Sequence, residues 1–168
     1  MMRFLSVAFA ILLSVNLSAQ EFDLEGGIRT GVSNGLSMRM YTGPDTYSEA
    51  MLLTRNRGVQ FAIFLGSTDE LYQVPMPGFS LSKAWGGHLG FAGTKVRSLD
   101  EEYYYTRYRR VPVLGIDYYL GLNYTLNRIP LTFTIDYKPF AEILPERFLR
   151  INLWDFGFGI RYQFSTKI

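Results

Sequence analysis

Between residues 152 and 164 the chain alternates with a period of two. Trp154, Phe156, Phe158, Ile160, Tyr162 and Phe164 are large and apolar or aromatic. Asp155, Gly157, Gly159, Arg161 and Gln163 between them are small, polar or charged. A helix, with 3.6 residues per turn, would scatter both sets around its axis. An extended strand puts one set on each face. The stretch is therefore a strand with one greasy and one wet side, and the rest of the chain must supply what covers each.

Seven further segments repeat the pattern. They cover residues 22–32, 36–42, 47–55, 59–66, 85–95, 112–124 and 131–138. In the first, Phe22, Leu24, Ile28 and Val32 alternate with Asp23, Glu25 and Arg29. In the sixth, Leu114, Ile116, Tyr118, Leu120 and Leu122 alternate with Gly115, Asp117, Gly121 and Asn123. Turn chemistry separates the segments: Ser33-Asn34-Gly35, Gly43-Pro44-Asp45, Asn56-Arg57-Gly58 and Asn127-Arg128-Ile129-Pro130. Asn34-Gly35 reads as the central pair of a tight hairpin. Residues 71–83, 96–110 and 140–151 read as loops, the first because of Pro75, Pro77 and Gly78, the last because Pro139 and Pro145 mark the exit of segment seven. No helical periodicity of any length follows the N-terminal leader.

The leader itself, residues 1–19, has Arg3 ahead of an apolar run and ends in Leu17-Ser18-Ala19. This predicts an export signal cleaved after Ala19, leaving residues 20–168 as one domain. The apolar run is short for a membrane-spanning helix. The formal net charge is +2 and no Lys/Arg stripe is present, which argues against a nucleic-acid partner. The absence of cysteine excludes disulfides, thiolate metal sites and cysteine catalysis.

Eight amphipathic strands behind an export signal predict an all-β fold: an eight-stranded antiparallel up-and-down transmembrane β-barrel, in the outer membrane of a Gram-negative bacterium. A soluble sandwich is the alternative. It would place Lys and Glu on the wet face, whereas Gly and Asp are frequent there and Lys is nearly absent. In a closed barrel the wet face becomes a lumen network of paired charges: Asp23, Glu25, Glu49, Asp117, Asp136 and Asp155 with Arg29, Arg39, Arg55, Lys138 and Arg161. Asp136 is expected to pair with Lys138 or Arg161. Trp85, Tyr124, Tyr137, Trp154 and Tyr162 are placed to form interfacial girdles. Both chain ends and the 127–130 turn then fall on the periplasmic side, with residues 96–110 and 140–151 outside.

Several short stretches resemble the small outer-membrane β-barrel proteins of the Bacteroidota type. They are Ala19-Gln20, Gly26-Gly27-Ile28-Arg29, Arg55-Asn56-Arg57-Gly58, Trp85-Gly86-Gly87-His88-Leu89-Gly90-Phe91, Gly115-Ile116-Asp117, Ile129-Pro130-Leu131 and Asp136-Tyr137-Lys138-Pro139. Tyr162-Gln163-Phe164 is similar to the terminal aromatic strand that the barrel-assembly machinery reads, although Ser165 to Ile168 follow it. The resemblance implies fold and compartment, with outer-membrane lipid and the assembly machinery as partners. It implies no catalytic residue.

The functional candidates are few. Tyr103, Tyr104, Tyr105, Arg107, Tyr108 and Arg109 cluster in an external segment and have the composition of a binding surface, which suggests a protein partner. His88, the only histidine, is a weak candidate for a lipid-modifying barrel enzyme, but no serine pairs with it convincingly. The plainer expectation is an interior histidine bonded to a carboxylate such as Asp117. A narrow solute pore is the remaining alternative, although eight strands leave an interior that side chains fill. With one His and no Cys, no metal site or cofactor is expected; Asp100-Glu101-Glu102 alone is not a calcium pattern. The chain is expected to be non-enzymatic.

Overall fold

The computed structural model describes residues 24–72, 77–100, 103–145 and 147–164, with side chains except at 94–100, 103–108 and 147. Ten strands follow one another. They are β1 (Leu24–Gly31), β2 (Asn34–Tyr41), β3 (Thr46–Arg55), β4 (Gly58–Glu70), β5 (Phe79–Asp100), β6 (Tyr103–Thr125), β7 (Leu131–Tyr137), β8 (Phe140–Leu144), β9 (Arg147–Asn152) and β10 (Phe156–Phe164). All pairings are antiparallel.

These ten strands make eight staves. β7 and β8 run along β6 as one interrupted stave, and β9 and β10 form the next. Their common interruption is a bulge. Tyr137 pairs with Phe156, and Lys138 N–H donates to the Asp155 carbonyl at 2.7 Å, but Phe140 pairs with Asn152. Residues 153–155 therefore oppose 138–139, so one stave carries an extra residue. Pro139, which has no N–H to give, sits at this gap, and its carbonyl still accepts from Tyr118 N–H. The bulge turns both Leu153 and Trp154 outward and Asp155 inward.

The sheet closes. β1 pairs with β10 from Leu24↔Phe164 to Gly31↔Gly157, and β5 pairs with β6. The fold is thus the predicted closed eight-stranded antiparallel barrel, with no unpaired edge around its middle. Call the end where β1 starts and β10 finishes the lower end.

Period two holds along most of each stave, broken at the bulge and in β9, where Phe148 and Leu149 are both exposed. Ile28, Leu36, Met38, Leu52, Phe61, Ile63, Leu65, Trp85, Leu89, Leu114, Ile116 and Ile135 are exposed on the outer face. The residues alternating with them are buried in the bore. Of the expected girdle residues, Trp85, Trp154 and Tyr162 are exposed and Tyr124 and Tyr137 half-buried.

Four readings of the sequence need correction. Residues 71–83 are not all loop: β4 runs to Glu70 and β5 starts at Phe79, because Ser80 to Lys83 pair on both sides, with Glu70 to Ser67 and with Asn123 to Leu120. Pro77 and Gly78 (φ +99°) lie just before β5. Residues 96–110 are mostly ladder, from Val96↔Arg107 to Asp100↔Tyr103. Residues 140–151 form the β8–β9 hairpin, since Phe140-Ala141-Glu142-Ile143-Leu144 alternates as the other strands do. Finally, Asn34-Gly35 is not the turn. β2 already includes both residues, and the chain reverses at Val32-Ser33, just after Gly31, which has φ +151°. Asn34 contributes its side chain instead, accepting from Gly31 N–H at 2.9 Å and Thr30 Oγ1 at 3.0 Å. The left-handed hairpin turn falls at Asn56 (φ 49°) and Arg57 (φ 60°).

Candidate functional site

The inner face carries the charges. Glu25, Arg29, Arg39, Asp117, Asp136, Lys138, Asp155 and Arg161 all point into the bore, none more than 4% exposed. Glu49 and Arg55 join them, as do Glu142 and Arg150 from the hairpin read as a loop. Asp23 lies outside the described residues. Among the described residues, six carboxylates (Glu25, Glu49, Asp117, Asp136, Glu142, Asp155) thus meet six bases (Arg29, Arg39, Arg55, Lys138, Arg150, Arg161). The balance matters. A buried charge is tolerated only with an opposite partner and filled hydrogen bonds.

The upper charges form one connected chain. Arg29 engages Asp136, with Nη2 at 2.5 Å and Nε at 3.0 Å, and reaches Asp155 at 3.1 Å. Ser33 Oγ donates to Asp155 at 2.9 Å. Lys138 Nζ bridges Asp155 (3.2 Å) and Asp117 (3.1 Å). His88 Nδ1 lies 2.6 Å from Asp117, and its Nε2 lies 3.0 Å from Glu142. Glu142 also accepts from Arg55 Nη2 at 2.7 Å and from Arg150. Asp136 therefore pairs with Arg29, and not with Lys138 or Arg161 as expected. Its stave turns Lys138 upward past the bulge toward Asp155, while Arg161 sits in a lower layer.

Gly115 makes the His88–Glu142 contact possible. Its strand separates theirs, and a Cβ there would come within 2.4 Å of His88 Cε1 and 2.8 Å of Glu142 Cβ. The missing side chain lets the imidazole reach across β6.

A second network fills the lower half. Arg39 donates twice to Glu49, at 2.7 and 3.0 Å, and once to Ser82 at 3.0 Å. Its guanidinium lies 3.9 Å from the Tyr47 ring centre. Arg161 binds Glu25 at 2.9 Å and Asn123 at 2.8 Å, and Gln163 binds Glu25 at 3.0 Å. Beside these charges lies an apolar layer the sequence did not announce: Tyr47, Met51, Leu53, Ala62, Phe64, Ala84 and Tyr119. A smaller one, Ala92, Val111, Val113 and Leu144, lies near the upper mouth. The bore is occupied by side chains.

His88 is 3% exposed, and carboxylates take both of its ring nitrogens. That is a structural link in the network, with no free nitrogen to act as a base. Among the described residues no group of three His, Asp or Glu side chains forms a metal-ligating set. Of the predicted binding cluster, Arg109 is exposed. Tyr103, Tyr104, Tyr105, Arg107 and Tyr108 have a described backbone in β6, but their side chains lie outside the described residues. Glu142 was missed because Pro139 and Pro145 masked the five-residue alternation between them, and Arg150 because it lies further along the same stretch read as a loop.

No family model matches this chain, and no curated protein does. Among solved structures, the crystal structure of the N-terminal β-barrel domain of Pseudomonas aeruginosa OprF matches at 12% identity. The match covers 86% of this chain and 97% of that one, with a TM-score of 0.43. The barrel assignment rests on the closed strand order, not on this likeness.

Proposed function

We propose that this chain is an integral outer-membrane β-barrel protein with a structural or recognition role and no catalytic activity. The observation that carries the proposal is the outer face. Large apolar side chains are exposed on every stave around the closed ring, with Leu65 and Trp85 at 68%, Ile116 and Ile135 at 64% and Trp154 at 74%. Monomeric water-soluble proteins do not expose a continuous apolar belt of this extent. The belt also has a suitable height. On β6 its outward residues run from Leu114 to Tyr124, which at ~3.3 Å per residue and ~40° of tilt is about 25 Å. Aromatic pairs edge it at the lower end, including Phe79–Tyr124 with ring centres 4.7 Å apart.

In this reading the lower end faces the periplasm. The β5–β6 hairpin stands outside, above the Asn56 carbonyl that accepts from Gly93 N–H at 2.8 Å. Its Tyr- and Arg-rich sequence makes it the segment for contact with a protein partner. Residues 1–19 act as the export signal, and the aromatic β10 serves the assembly machinery. The filled bore favours a plug over a pore, and the engaged nitrogens of His88 disfavour the lipid-hydrolase alternative.

Expression in a Gram-negative host tests this. The expected product fractionates with outer membranes, begins at Gln20 and shifts its gel mobility on heating in detergent. A mature chain that is soluble and monodisperse without detergent would overturn the proposal.

A further inference from the structure

At the top of β4 and β5 the outer belt ends on Val59 and Phe91, both exposed, and exposed Pro112 of β6 pairs with Phe91. One outward position higher, the surface changes character. Gly93 follows Leu89 and Phe91 on the outward parity of β5. It is paired on both sides. Arg110 of β6 stands opposite it in the ladder, and its N–H donates to the Asn56 carbonyl of the β3–β4 turn at 2.8 Å. A Cβ built on Gly93 would lie 3.5 Å from Arg57 Cβ. Arg57 and Arg110, both exposed, thus flank an outward position that has no side chain. By register, Lys95 holds the next outward position of β5, opposite Tyr108.

The turn residue is itself unusual. Asn56 and Arg57 both have positive φ, and the residue favoured second in such a turn is glycine. Arg57 keeps a long basic side chain where the backbone favours none.

Exposed charge is also segregated along the barrel axis. Among the described side chains, the exposed acids Asp45, Asp69 and Glu70 all lie toward the lower end, together with Lys83 and Arg128. At the upper end the exposed charges are Arg57, Arg109 and Arg110, with no exposed acid among the described residues. The rim above the belt is therefore basic where β3 to β6 meet it.

A ligand for this place needs an apolar part and a negatively charged head. An acyl chain packed along Val59, Phe91 and Pro112 brings its headgroup to the gap over Gly93. Guanidinium groups match phosphate oxygens in geometry as well as charge, and their aliphatic stems lie well along an apolar rim.

We propose that Arg57 and Arg110 clamp the phosphate-bearing headgroup of an anionic outer-leaflet lipid over Gly93. The proposal rests on the outer-membrane reading with the upper end outside, and it adds the lipid chemistry that this part of the wall selects. The apolar rim directly below the two arginines makes the source a lipid and not free phosphate.

The chain purified from membranes is first folded into phosphatidylcholine vesicles and checked by heat-shifted gel mobility. Failure to insert there would overturn the outer-membrane reading, and this proposal with it. Lipid A, an anionic lipid that carries phosphate, is then titrated against the folded chain in micelles, and the bound fraction is read by native mass spectrometry. Wild type is expected to bind it saturably. Arg110→Gln is expected to weaken binding about fivefold, as for the loss of one basic group at a membrane surface. Arg57→Gly gives the turn its favoured Asn-Gly pair, so the barrel still folds, and a similar loss is expected. Arg128→Gln, at the lower end, is expected to bind as wild type does. Equal affinities for wild type, Arg57→Gly and Arg110→Gln, in a chain that inserts normally, would overturn the clamp and leave the barrel reading standing. An equal loss in Arg128→Gln would reduce the effect to net charge and overturn it too. Displacement of lipid A by inorganic phosphate, but not by sodium chloride at matched ionic strength, would make a free anion the occupant and overturn the lipid assignment.

Discussion

Lys138 and Asp155 are joined twice. The backbone N–H of Lys138 donates to the Asp155 carbonyl at 2.7 Å, and its ammonium lies 3.2 Å from the Asp155 carboxylate inside the wall. One bond holds the bulge in register, and the other belongs to the charge network. Shape and electrostatics are therefore coupled at this point. The extra residue that turns Asp155 inward also provides the partner that makes its burial tolerable.

Breaking that link should be costly. Lys138→Met leaves Asp117 and Asp155 without a shared cation in a site 1% exposed or less. The expected loss of unfolding free energy is ~3–5 kcal/mol. Lys83→Met breaks a pair with Asp69 in which both side chains are about half exposed. Its cost should stay within ~1 kcal/mol. Denaturant melts of both variants in micelles give the comparison, and equal shifts would contradict a buried network.

The Arg39–Glu49 pair offers a cycle. Both side chains are fully buried. Glu49→Leu strands a guanidinium and is expected to cost ~3–5 kcal/mol. Arg39→Met combined with Glu49→Leu removes both charges and should cost less than Glu49→Leu alone. Strictly additive effects would show that the two charges do not depend on each other.

Glycine at position 115 is a packing requirement. Gly115→Ala puts a Cβ 2.4 Å from His88 Cε1 and 2.6 Å from the Ala141 carbonyl. Relieving this should cost ~1–3 kcal/mol. At Gly159 the nearest atoms to a Cβ lie at 3.5 and 3.6 Å, an ordinary contact, so Gly159→Ala should fold normally. Thermal midpoints of the two variants check the contrast.

The outer face can be tested by a charge. Ile135 is mid-strand and 64% exposed. In a bilayer, Ile135→Arg is expected to cost ~2–4 kcal/mol if the position lies near the midplane. On a water-facing surface the same change should stay within ~0.5 kcal/mol. Folding titrations into lipid vesicles distinguish the two values.

Much of the fold was legible because side-chain direction in a strand depends only on parity. Once Phe156, Phe158 and Tyr162 shared a face, Asp155 and Arg161 had to share the other. That local rule also separated the inward residues of β1, β2, β6 and β7 from the outward ones, and the even number of such segments predicted closure. Punctuation was read less well. Pro139 and Pro145 have the same chemistry at the end of a strand as beside a bulge or a hairpin turn, so Glu142 and Arg150 went unseen. Asn34-Gly35 suits a turn, yet cross-strand pairing drew both residues into β2.

Parity within each strand, and with it the greasy and wet faces, was therefore determined by the sequence alone. Which charge meets which was not. Arg29 finds Asp136 and Asp155 more than a hundred positions away, and His88 reaches Glu142 because Gly115 leaves room between them. Those partners depend on strand register, on the bulge at residues 153–155 and on ring closure. All three are non-local, because they come from the packing of whole staves against one another, so only the tertiary structure could decide them.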